Sequence, residues 1–243
     1  MLPGAWRLTL EQPAAGYRFS LEAFLLADFV PPAAAGPCVD LGTGCGVVAL
    51  LLARRFPALP LVGVELQASL LALARRNVVA NGLAHQVALV QADIRQLHRL
   101  FPAGAFRTAV CNPPYRPAGS GRLNPHPEKA IARHELTLTL PQLLQACRHL
   151  LAPRGLLVLV YPPARLAELC ARLEAAGLRP RRLRLVHATL QEPASLALVE
   201  AVRGGRHGLT VLPPLAVYEA AGKYSAEMQA IFHGRGLAAQ EQG

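Results

Sequence analysis

The chain has 243 residues, 52% of them apolar, which is enough to bury a core and excludes a disordered polypeptide. Its longest apolar runs, such as Val47 to Ala53 and Leu156 to Tyr161, fall well short of the roughly 18 residues a membrane span needs. A formal charge of +10 and a pI of about 10.1 exclude an acidic surface and favour a polyanionic partner such as nucleic acid.

Arginine carries nearly all of that charge, since Lys129 and Lys223 are the only lysines. Cys38, Cys45, Cys111, Cys147 and Cys170 are odd in number and contain no C-x-x-C. That argues against both a disulfide framework and a metal site. Met1-Leu2-Pro3-Gly4 has no basic region and Arg7 and Glu11 break the apolar stretch, so no secretory signal is expected and the cytoplasm is the default.

In chain order, Leu8 to Val30 is read as possible short strands followed by an apolar helix over Leu21 to Phe29. Pro31 to Pro37 is a Pro-rich loop, because proline neither donates into a ladder nor continues a helix. Residues 1–36 are therefore expected to form an extension packed on a catalytic domain of residues 37–243. From there strands are expected over Cys38–Leu41, Leu61–Val64, Val87–Val90, Thr108–Cys111, Leu156–Tyr161, Leu183–His187 and Leu196–Val202. Helices are expected over Val47–Arg55, Ala68–Asn81, Leu140–Leu151 and Ala164–Ala176. This alternation predicts an α/β fold, a mostly parallel seven-stranded sheet with helices on both faces. The last two strands lack a helix between them, which suggests an antiparallel edge.

Asp40-Leu41-Gly42-Thr43-Gly44-Cys45-Gly46 lies between the first strand and its helix, where open α/β sheets bind ligands. Glycines there take positive φ and let backbone approach a ligand closely. The spacing is G-x-G-x-G rather than the G-x-G-x-x-G of dinucleotide folds. Glu65 closes the second strand about 20 residues on, placed to accept from ribose hydroxyls. Asp93 follows the third strand, placed to accept from an adenine amino group. Each acid alone would be an ordinary cap or turn residue; together they predict a nucleoside cofactor held by Asp40, Gly42, Thr43, Gly44, Gly46, Glu65 and Asp93, with S-adenosylmethionine the best match.

Asn112-Pro113-Pro114-Tyr115 follows the fourth strand. With the glycine turn, this motif resembles the class I methyltransferases of the N-P-P-Y kind, with their Rossmann-like fold, which modify amino groups of adenine, guanine or glutamine. The resemblance makes Asn112, Pro113, Pro114 and Tyr115 the catalytic residues and sets Asn112 beside the cofactor. The Asn112 side-chain oxygen and the Pro113 carbonyl would accept the two N–H bonds of a planar amine, drawing its lone pair towards the methyl. Tyr115 would stack on the base.

Gln12-Pro13, Gly16-Tyr17-Arg18-Phe19-Ser20, Leu25-Leu26-Ala27 and Ala132-Arg133-His134-Glu135 resemble segments of the bacterial tRNA1(Val) adenine-N6 methyltransferases. The similarity runs from about Leu8 to Tyr224. It implies N6-methyladenosine formation in tRNA next to the anticodon. Glu22 departs from that pattern, standing where the family is expected to carry aspartate. Arg133 and His134 would line the substrate entrance. Arg181 and Arg182, in a cluster with Arg179 and Arg184, and Arg203 and Arg206, in a glycine-containing loop, are candidates for phosphate contact. A release-factor glutamine-N5 methyltransferase would share N-P-P-Y but usually carries a longer N-terminal helical domain, and ribosomal RNA guanine-N2 methylation is a further alternative.

Overall fold

The computed structural model describes residues 6, 8–13, 21–32, 36–113, 138–220 and 222–234. Five strands, β1 (Cys38–Leu41), β2 (Leu61–Glu65), β3 (Val87–Gln91), β4 (Phe106–Cys111) and β5 (Leu151–Tyr161), run parallel. β6 (Leu178–His187) and β7 (Ala194–Arg203) close the edge, with β7 antiparallel to both β5 and β6. The order is β3-β2-β1-β4-β5-β7-β6. Each parallel strand feeds a helix that returns it to the same end of the sheet, so the turns that follow the strands gather at one edge.

The expected parallel core and antiparallel edge are present, and the sheet is larger than expected. Two short strands, β8 (Thr210–Val211) and β9 (Leu215–Ala216), add to β6 and bring it to nine. A small hairpin of β10 (Tyr218–Ala220) and β11 (Lys223–Tyr224) stands apart. Elements of two or three residues carry no periodicity in sequence. β5 also begins at Leu151 rather than at Leu156, directly after the helix Leu140–Leu150.

Two apolar layers sandwich the sheet, which is why the central strands read as nearly continuous apolar runs. One layer contains α1 (Leu21–Phe29), α2 (Val47–Arg55), Val78 of α3 (Ala68–Ala80), and Met228 and Ile231 of a last helix at Ala226–Phe232. The other contains α4 (Leu140–Leu150), α5 (Leu166–Ala175) and Leu97 of a 3-10 turn at Ile94–Arg99. α4 starts at a reciprocal cap in which Thr139 and Gln142 satisfy each other's backbone N–H groups, and Pro141 sits in its first turn, where no N–H is needed.

No strand forms over residues 8–13. Side chains of α3 take a strand's place instead. Asn77 Oδ1 accepts from the Glu11 N–H at 2.7 Å and Asn77 Nδ2 donates to the Glu11 carbonyl at 2.9 Å. Asn81 repeats this pattern on Thr9, at 3.0 and 2.7 Å. Four helical residues rise about 6 Å and two extended residues nearly the same, so the two amides match alternate peptides.

Candidate active site

Strand register builds the site. Val90, Val64, Leu41, Cys111 and Leu159 lie side by side across β3, β2, β1, β4 and β5. One residue beyond that row come Glu65 at the end of β2, Gly42 after β1 and Asn112 after β4, on neighbouring strands spaced about 5 Å apart. Cys111 Sγ donates to the Leu41 carbonyl at 3.3 Å, tying β4 to β1 at that point.

The glycine turn is braced from below. The N–H groups of Gly42 and Thr43 both donate to the Val64 carbonyl at 2.9 Å. Gly42 (φ 77°), Gly44 (φ 59°) and Gly46 (φ 87°) take left-handed backbone, which a residue with a Cβ adopts at a cost. A Cβ on Gly46 would stand 3.3 Å from that of Ala74 on α3. One on Gly42 would meet nothing within 4 Å, so open space adjoins the turn.

Two carboxylates shape this turn from inside. Asp40, 1% exposed, accepts from Thr43 Oγ1 at 2.6 Å and from the backbone of Ala49. Glu65, 2% exposed, accepts from the Gly44 N–H at 3.0 Å and the Gln67 N–H at 2.8 Å. Burial raises the Asp40 carboxyl to about 7, opposed by its two hydrogen bonds and reinforced by Glu65. Burial likewise raises Glu65. Both acids brace the turn whose Gly42 adjoins open space, and a desolvated acid gains from a ligand that brings positive charge or hydroxyl donors.

Asp93 caps the 3-10 turn, accepting from the Arg95 N–H at 2.9 Å. The Arg95 guanidinium grips the same carboxylate and holds its carboxyl below the usual range. Asn112 is half-buried at the end of β4, and its Nδ2 donates to Glu22 Oε2 of α1 at 3.4 Å. Pro113 follows it; Pro114, Tyr115, Arg133 and His134 lie outside the described residues.

The arginine candidates divide. Arg182 points inward: it donates to Glu200 Oε2 and to the Phe29 carbonyl, both at 2.9 Å, and stacks on the Phe29 ring. Expected at the RNA surface, it is instead a strut between β6, β7 and α1. Arg184, two residues on and on the same face, is buried and bonds Pro213 and Glu227. Arg181 is largely exposed and reaches Glu200 Oε1 at 3.9 Å. Arg203 donates to the Leu151 carbonyl. Val202 faces Leu156, which places Arg203 four residues, roughly 13 Å, below the row and towards the opposite end of the sheet. Arg206 is exposed in the loop after it. That loop follows β7, whose direction opposes β5, so it cannot share the end where Asn112 sits.

Two supports were not read from the sequence. Gly63 lies opposite Asp40, and a Cβ there would come within 2.7 Å of Leu89 and 3.0 Å of Thr43. Its absent side chain leaves the room Thr43 uses. A glycine inside a strand was the available signal. Asn77, 1% exposed, donates to the Cys45 carbonyl at 2.9 Å and so joins the glycine turn to Glu11. An asparagine in mid-helix was its signal.

Comparison with known proteins now settles the family. The family model for the methyltransferase small domain matches residues 21–164. The chain belongs to this family. Among its relatives is the tRNA1(Val) (adenine(37)-N6)-methyltransferase of Photobacterium profundum, 31% identical, with 89% of this chain and 90% of that protein covered. A protein of the same name from Porphyromonas gingivalis is 32% identical, with 90% of this chain and 88% of the relative covered. In fold, the chain matches the crystal structure of a predicted O-methyltransferase, Atu636 of Agrobacterium tumefaciens, with a TM-score of 0.72, 21% identity, and 88% and 97% of the two chains covered. It is a methyltransferase of the class I, Rossmann-like fold.

Proposed function

We propose that this methyltransferase transfers the methyl group of S-adenosylmethionine to the exocyclic N6 of an adenosine in tRNA, beside the anticodon. The observation that carries the reading is the position of Asn112, one strand away from the glycine turn, in a chain whose relatives bear the name of that activity.

The residues present fit the methyl donor. Asp40 and Glu65 are desolvated acids beside open space, suited to the ammonium and ribose hydroxyls of S-adenosylmethionine. Gly42, Thr43, Gly44 and Gly46 supply the turn around it. Asp93, already a cap, has carboxylate lone pairs to offer an adenine amino group beside its Arg95 pairing. Bound there, the donor supplies an electrophilic sulfonium methyl.

The chain's own task is to present the nucleophile. An adenine amine is poorly nucleophilic because its lone pair is delocalised into the ring. Asn112 Oδ1 and the Pro113 carbonyl accept its two N–H bonds and turn the lone pair towards the methyl. Positioning of this kind supplies most of the rate enhancement. Pro114 and Tyr115 continue the motif, in which Tyr115 would supply a ring for a splayed base. Arg133, His134 and Arg181 are left as candidates for contact with the RNA. The same reading puts the enzyme in the cytoplasm with its tRNA; among the described residues no helix is long and apolar enough to cross a membrane.

The test is to incubate the protein with labelled S-adenosylmethionine and unmodified tRNA and to identify the labelled nucleoside by mass spectrometry. N6-methyladenosine is expected; methylguanosine, or label in protein, overturns the substrate. Asn112→Ala should lower turnover at least ~100-fold while calorimetry finds donor affinity within twofold. Retained turnover would remove Asn112 from the chemistry.

A further inference from the structure

A side-chain amide has two ends of opposite character, and only one suits the chemistry above. The oxygen of Asn112 can accept an N–H of the amine, whereas its NH2 group would confront that amine donor to donor. Something has to choose between the two orientations. Asn112 Nδ2 lies 3.4 Å from Glu22 Oε2. An ionised carboxylate only accepts, so Glu22 takes the NH2 end and turns Oδ1 away from itself. Hydrogen bonds in active sites are often long before substrate binds and shorten in the complex.

Glu22 is delivered by a rigid element. It stands in the first turn of α1, and every residue from Ala23 to Phe29 is buried. The other end of α1 is clamped: Arg55 donates to the carbonyls of Asp28 and Val30 at 2.6 and 2.8 Å, and Arg182 donates to that of Phe29. α1 packs on α2, β5 and β7, which fixes the backbone that carries Glu22, and the 3.4 Å contact sets its carboxylate beside Asn112.

We propose that Glu22 is a positioning residue, holding the Asn112 amide with its oxygen towards the substrate amine. The proposal rests on the reading of Asn112 as the acceptor of that amine. Glu22→Gln keeps the shape but can present either a donor or an acceptor, so the amide loses its preferred orientation. We expect kcat to fall ~10-fold, with donor affinity and KM for tRNA within twofold, since a charge-assisted hydrogen bond is worth about that much. Glu22→Asp keeps the acceptor on a shorter arm and should retain more kcat than Glu22→Gln.

The deciding comparison uses Asn112→Asp. In that background two carboxylates face each other and disfavour one another's ionised form, so adding Glu22→Gln should raise turnover instead of lowering it. A merely structural role for α1 would give the same sign in both backgrounds. The proposal is overturned if Glu22→Gln alone keeps kcat within twofold, if it lowers donor affinity and melting temperature together with kcat, or if its effect has one sign in both backgrounds. Asn112→Ala separates the two levels. Full turnover there removes the acceptor reading and this proposal together; collapsed turnover beside a silent Glu22→Gln removes the proposal alone.

Discussion

At the carboxyl end of the sheet Asp40 and Glu65 are held by a hydroxyl and by backbone N–H groups, whereas at the β6–β7 edge Glu200 is held by the guanidinium of Arg182. All three acids are nearly inaccessible to solvent. A neutral donor satisfies lone pairs but leaves the charge unbalanced, and the carboxyl groups of Asp40 and Glu65 are raised accordingly. A guanidinium satisfies both and locks the pair into the architecture. The first arrangement stays receptive to a cationic ligand, and the second is complete without one.

The largest expected effect tests the closed pair. Arg182→Ala leaves the buried Glu200 with only the more distant Arg181 at 3.9 Å and should cost about 3–5 kcal/mol in urea denaturation, with most of it recovered when Glu200→Leu is added and Arg182 is changed to Met instead. Affinity of the folded protein for tRNA should hardly move. A small loss of stability with a large loss of tRNA affinity would return Arg182 to the RNA surface.

A smaller effect tests the open pair. The folded Asp40 carboxyl sits at about 7 against a usual 3.8, so the folded protein holds its proton more tightly than the unfolded chain does. Stability is then lost as pH rises through that interval, and the loss is complete above it. Asp40→Asn escapes this cost. Its melting temperature should exceed that of the wild type by about 2–4 °C at pH 8, and the gap should shrink as pH falls towards 4, while donor binding weakens. A gap independent of pH would show that ionisation of Asp40 is not its cause. The smallest effect concerns the far end of the sheet: Arg206→Ala should change stability by less than about 0.5 kcal/mol and leave KM for tRNA within twofold. A tenfold rise in KM would mean that the RNA reaches around the molecule to that loop.

Legibility followed the range of the interactions. The glycine turn and Asn112-Pro113 were readable because their demands are local: positive φ at three glycines, and a strand stopped by proline. The helices followed from apolar spacing. Arg182 and Arg184 share a spacing of two, which in a strand means one face, but which face is inward depends on the helix laid against it. Asp93 was placed correctly at a strand end, yet its pairing with Arg95 could not be chosen over the alternatives from spacing alone. The amides of Asn77 and Asn81 replace a strand partner some seventy residues away, and no periodicity reports that.

By itself, then, the sequence determined the alternation of strands and helices, the glycine turn after β1, and the asparagine and proline that follow β4. Those depend on backbone propensity and on residues near one another in the chain. Only the tertiary structure decided which strand ends lie in one row, that Glu22 of α1 reaches Asn112 of β4, and that Arg182 serves the core while Arg203 and its loop lie away from the site. Register and burial are set by packing between distant segments, and the free energy of that packing belongs to no local stretch of sequence.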